Sequence, residues 1–252
     1  ASHSAEFAAT YYGDNRAVAG CLETYASSLL QYGEHEDQHA GEQFYNYCAR
    51  LLARQFIIDK TASAEELFWL TGEKPLFEQA KLVLEINRRG AGKIEAYYMH
   101  CLEVSQGLEG EPKRLFDTTV LLQAAIHYLC NQGAIQFCRG FLKYRDARYQ
   151  ESFYLLGCAA EQFSAANQAM RDAEYGVWNG FYENDCLTDI KFTAYVIRSM
   201  MRVVRVVGDD TRFADWYEDF VRPKADRKVR LLAITDSHMT DEELFLAMRR
   251  NG

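Results

Sequence analysis

The chain has 252 residues, 48% of them hydrophobic and 25% charged, which is enough apolar material for a sizeable core and excludes intrinsic disorder. Its formal net charge of −8 opposes non-specific attachment to nucleic acid or to an anionic membrane surface, and no apolar run reaches the roughly eighteen residues that a membrane span needs. The seven cysteines make no C-x-x-C pair, so neither a disulfide framework nor a cysteine-rich zinc site is spelled out. Free thiols, and a start that has neither a charged nor an apolar leader segment, lead us to expect a cytoplasmic protein.

β-Branched alternation is scarce, and apolar residues recur instead at spacings of three and four. The first predicted helix runs over 5–31. The second, 35–58, carries the face Phe44, Tyr47, Cys48, Leu51, Leu52 and Phe56. It opens on His35-Glu36-Asp37-Gln38-His39, which has the histidine spacing and the glutamate of a zinc-protease helix. The intervening Asp37 and Gln38, and Gly33 and Glu34 before them, belong instead on a solvated first turn, where acids favour the positive end of the helix dipole. Glu36 and His39 supply one Glu-x-x-His, and a di-iron centre needs two on different helices. No metal site, and no cofactor, is expected.

Ser63-Ala64-Glu65-Glu66 reads as a capping box opening 63–71. Pro75, Pro112 and Pro223 each open a helical segment. Helices follow over 75–89, 92–106, 112–131, 133–145 and 147–174, with Gly90 and Gly107 as C-caps. His100 and His127 lie in apolar runs and read as core histidines with satisfied ring nitrogens. A break at Gly107 to Pro112 allows two sub-bundles, 1–110 and 111–252, but one all-α domain over 1–252 is the first expectation. Short connections favour antiparallel neighbours, in a multi-helix bundle or an array of helical hairpins. A repeat of 34 or 40 residues does not recur three times, as a solenoid would require.

The stretch from Trp178 to Lys191 gathers three aromatics, Trp178, Phe181 and Tyr182, with Glu183, Asn184, Asp185 and Asp189. It falls between two long helices, where rigid scaffolds display binding residues. Aromatic rings beside carboxylates could stack on a sugar and accept its hydroxyls. A pair drawn from Glu183, Asp185 and Asp189 could also perform glycoside hydrolysis. The structural alternative makes the aromatics a plug closing the bundle and Asn184 or Asp185 the N-cap of the next helix. Asn184-Asp185-x-x-Thr188 followed by Lys191 is similar to the second metal motif of class I terpene cyclases. The acid that ends that motif is Phe192 here, and the only adjacent aspartates, Asp209 and Asp210, come after it. A magnesium–diphosphate site is therefore not expected.

The helix 185–207 carries a cationic stripe of Lys191, Arg198, Arg202 and Arg205, read as a face that pairs with acidic neighbours. It ends at Gly208, and short helices follow over 210–221, 224–234 and 241–250, the last opened by the capping box Thr240-Asp241-Glu242-Glu243.

The run Glu174 to Asp185, with its tryptophan, aromatic pair and aspartate, resembles helical regions appended to large bacterial carbohydrate-active enzymes. Tyr11-Tyr12-Gly13-Asp14 is similar to the opening of such regions. The resemblance implies a non-catalytic module beside a catalytic domain, binding a polar ligand, a glycan or a protein partner through Trp178, Phe181, Tyr182, Asn184, Asp185 and Lys191. The alternatives are a hydrolase built on the carboxylates of the same loop, and a helical scaffold or oligomer subunit.

Overall fold

The computed structural model describes residues 3–13, 15–30, 46–183, 188–216 and 239–251, without the side chains of 209–216 and 251. The described chain is all-α. Its helices are α1 (His3–Tyr12), α2 (Arg16–Ser28), α3 (Asn46–Asp59), α4 (Phe68–Thr71), α5 (Leu76–Gln106), α6 (Gly110–Phe116), α7 (Leu122–Arg145), α8 (Tyr149–Asp172), α9 (Ile190–Trp216) and α10 (Asp241–Asn251). Among the described residues there is no strand, and no helix is long and apolar enough to cross a membrane.

The scaffold is a set of antiparallel neighbours, and the side-chain pairs fix their direction. On α5 and α7, Phe77 stacks on Phe141 and Tyr98 on Tyr128. A three-residue connection reverses the chain from α7 into α8, with Ala147 at φ 56°. Two glycines of α7 let α8 approach: a Cβ on Gly133 would sit 2.9 Å from the Phe163 ring, and one on Gly140 only 3.1 Å from the Ser152 carbonyl. α9 returns along α8, and α3 lies antiparallel to α9, where Asn46 meets Thr193 and Arg50 meets Asp189. α10 docks on α8 by seating Phe245 over Gly157, where an added Cβ would lie 2.3 Å from the ring.

The main core draws on residues from Leu30 to Met248 and includes the fully buried Phe137, Phe141, Phe153 and Phe163. A smaller core joins α1, α2, α6 and the C-terminal half of α5 around Tyr12, Val18, Tyr97 and Phe116. Two buried polar contacts link neighbouring helices and offset part of the desolvation of the groups that make them. The Asn131 amide donates to the Oδ1 of Asn87 at 3.0 Å, and the Nε2 of His127 meets the Tyr25 hydroxyl at 3.1 Å. Burial pushes the His127 ring down to about 4, so it is neutral at pH 7.

Several local expectations are corrected. The helix predicted over 5–31 is two, because Gly13 turns at φ 74° and the Asn15 side chain caps α2 by accepting from the N–H groups of Ala17 and Val18. Gly90 is no cap: α5 runs straight through it, and a Cβ there would strike Leu30 at 2.3 Å. α9 likewise continues through Gly208 to Trp216. The Ser63 box does not form. A short 3₁₀ turn, Glu65–Leu67, starts there instead, with Ala64 at its N-cap. The buried Gln79 satisfies that turn by accepting from the Ala64 N–H and donating to the Ala64 carbonyl and the Thr71 hydroxyl. His100 is exposed rather than in the core. The helices predicted over 112–131 and 133–145 are α6, a π-helical stretch Asp117–Leu121, and an unbroken α7. The Thr240 capping box is present, with Glu243 Oε2 accepting from Thr240 N at 2.7 Å and Thr240 Oγ1 from Glu243 N at 3.2 Å. His35, Glu36 and His39, the helix expected over 224–234 and Pro223 lie outside the described residues.

Candidate functional site

The bend between α8 and α9 is built around one carboxylate. α8 ends at Asp172, and Glu174 turns its side chain back, where it is only 8% exposed. It accepts from the backbone N–H of Gly180 at 2.9 Å and of Tyr182 at 2.7 Å. Burial by itself would raise its pKa, but the two N–H donors and the Arg171 guanidinium prevail and hold the carboxyl below the usual glutamate range. Gly176 at φ 54° and Gly180 at φ 78° make the two reversals, in a region of backbone space that costs a side-chain-bearing residue dearly. Between them Gly176–Trp178 forms a 3₁₀ turn.

This brace presents a row of rings. Trp178 meets Phe181 edge-on at 5.4 Å, and Phe181 meets Tyr182 edge-on at 5.1 Å. Tyr182 roots the row, half-buried against the main core. Trp178 and Phe181 stand out from the surface, 54% and 56% exposed, next to Val177 at 94%. Exposed aromatic rings are also found on the first two turns of α9, where Phe192 and Tyr195 stack at 6.2 Å.

The other leg of the bend is fixed by α3. Asn46, fully buried, donates to the Thr188 carbonyl at 2.7 Å and the Thr193 hydroxyl at 3.1 Å. Arg50 donates to the Asp189 carboxylate at 2.5 Å while its guanidinium lies over the Tyr47 ring. Asp189 has φ 55°, an uncommon conformation for a residue with a Cβ, and its carbonyl accepts from Thr193 N to start α9. The N-cap role expected of Asn184 or Asp185 thus concerns a helix that begins later, at Ile190.

The sequence-nominated residues separate into three groups. Trp178, Phe181 and Tyr182 are brought together. Lys191, exposed, reaches the Glu183 carbonyl at 3.4 Å, and the Glu183 side chain is exposed. Asp189 is turned away to Arg50, and Asn184 and Asp185 lie outside the described residues. Of the cationic stripe on α9, Arg198 donates to Ser164, and Arg202 and Arg205 both pair with Asp241 at the start of α10. Glu174, Asn46 and Arg50 were not nominated from sequence. Two glycines soon after Glu174 were the available sign of a carboxylate-braced turn, while Arg50 lies too far from Asp189 along the chain to be paired with it by pattern. Among the described residues no three His, Cys, Asp or Glu side chains converge as a metal ion would need.

No protein-family model, no curated protein and no solved structure matches the chain. The fold class and the geometry of the bend are what a functional reading rests on.

Proposed function

We propose that the protein is a non-catalytic helical recognition module, part of a larger carbohydrate-active protein, that binds a glycan on the aromatic row of the α8–α9 bend. One observation carries this reading: Trp178 and Phe181 are more than half exposed although a buried carboxylate fixes the backbone beneath them. A large ring left in water on a rigid loop forgoes the burial that would otherwise stabilise the fold. It is also pre-ordered for a ligand, so little conformational freedom is lost on binding. Flat rings suit the apolar face of a sugar, and Lys191 and Glu183 at the rim suit its hydroxyls. Cys21, Cys101, Cys130, Cys138 and Cys158 carry free thiols, in keeping with a cytoplasmic setting.

Isothermal titration of an oligosaccharide panel tests the proposal. At least one glycan is expected to give a saturable heat that weakens tenfold or more in Trp178→Ala. Heat from no sugar would remove the carbohydrate assignment, and equal binding by Trp178→Ala would remove the bend as its site. The exposed Phe192 and Tyr195 next to the bend favour a second reading, a protein partner on a broader aromatic surface. A partner would lose affinity in Tyr195→Ala as well as in Trp178→Ala, whereas a small glycan would register only the latter.

A further inference from the structure

A second region of the molecule offers a cleft with its own chemistry. It has a volume of about 480 Å³ and lies between the C-terminal half of α7, the first two turns of α8 and the end of α10. That volume is in the range of small-molecule sites. Leu155 of α8, Met248 of α10 and the ring of Tyr154 give it an apolar interior. Its rim is charged. Arg139 and Lys143, four residues apart on α7, share one face.

The two cations are not equivalent. Lys143 is committed to the Glu151 carboxylate at 2.9 Å, and Arg148 takes the other oxygen of that carboxylate. Arg139 is exposed and meets only the amide oxygen of Gln136, at 3.1 Å, with no ion pair among the described residues. The walls therefore hold two cations against one carboxylate, a surplus of one positive charge in a chain whose formal net charge is −8. A planar guanidinium with free N–H pairs matches a carboxylate in bidentate fashion. An apolar interior beneath it matches a hydrocarbon or aromatic tail. Gln150 adds a neutral amide to the same walls.

We propose that this cleft is a binding site for a small monocarboxylate with an apolar tail, its carboxylate held by Arg139 and its tail lying against Leu155, Tyr154 and Met248. The site is separate from the bend and does not depend on the reading of the bend. Titration of octanoate and of phenylacetate into the full chain tests it, with octanol as the uncharged counterpart. The expected result is saturable one-to-one binding of at least one of the acids. Octanol binds at least tenfold more weakly than octanoate if octanoate is the acid bound. Arg139→Gln costs at least tenfold in affinity, Arg139→Lys recovers part of it, and Trp178→Ala binds the acid as the wild type does. Because Arg139 is exposed, its variants are expected to fold, which circular dichroism checks directly. No saturable binding of either acid would overturn the proposal. So would octanol binding as well as octanoate, or Arg139→Gln binding as tightly as the parent.

Discussion

The α7–α8 packing and the bend that follows α8 use aromatic residues in opposite ways. In the first, Phe137, Phe141, Phe153 and Phe163 are fully buried, and Phe163 lies against a bare glycine of the facing helix. In the second, Trp178 and Phe181 touch each other and water, and their backbone is held by Glu174 rather than by the rings. The same residue class thus supplies cohesion in one place and a presented surface in the other. What separates them is whether the backbone position depends on the ring. The most informative variants are those that distinguish these two uses.

The largest effect is expected for Phe163→Ala. It removes a fully buried ring and leaves a cavity beside Gly133, at a cost of about 3–5 kcal/mol. Urea unfolding measures it as a lowered midpoint with an unchanged slope. A smaller, pH-dependent effect belongs to His127. Its folded pKa of about 4 lies below the ordinary value near 6.5, so between those values the unfolded chain takes up the proton and the folded one does not. Stability is therefore lost as pH falls from about 6.5 and levels off below about 4. The total is on the order of 3 kcal/mol. His127→Gln is expected to flatten the dependence of the unfolding midpoint over that window.

How far these features could be read from sequence follows from their range. The all-α class was legible because apolar residues recur at three and four through most of the chain. Local devices were legible too, such as the Thr240–Glu243 capping box and the Gly107 cap of α5. What failed depended on distant contacts. Gly90 reads as a helix end, yet it is there because Leu30 packs against it. Ser63 has the letters of a cap, but Gln79 already satisfies that turn. His100 has apolar neighbours in sequence, yet Tyr97, Cys101 and Val104 mark the buried face of α5, and position 100 falls off it. In the bend the aromatic cluster was legible, but the exposure of its rings was not, because that depends on a carboxylate that precedes the cluster and on α3.

The bend's own predictions are smaller and local. Arg50→Ala removes the part-buried guanidinium that pairs with the Asp189 carboxylate. It is expected to cost about 1–2 kcal/mol by urea unfolding. Glu174→Gln should leave the global unfolding midpoint nearly unchanged while shifting the backbone amide resonances of Gly180 and Tyr182. The same resonances report the pH behaviour. Because the folded carboxyl lies below the ordinary glutamate value, its contribution is complete above that value and is lost only as pH falls through the depressed one. The two amides are therefore expected to hold their shifts through the ordinary glutamate range and move at lower pH.

The most direct test is urea unfolding of the double variant Trp178→Ala, Phe181→Ala beside the parent. Rings held out by a braced backbone contribute little to stability, so the midpoint is expected to move by no more than about 0.5 kcal/mol equivalent, as for surface substitutions. A loss of about 3 kcal/mol or more, as for a buried aromatic, would show that the rings hold the fold together and would contradict their assignment as a presented surface.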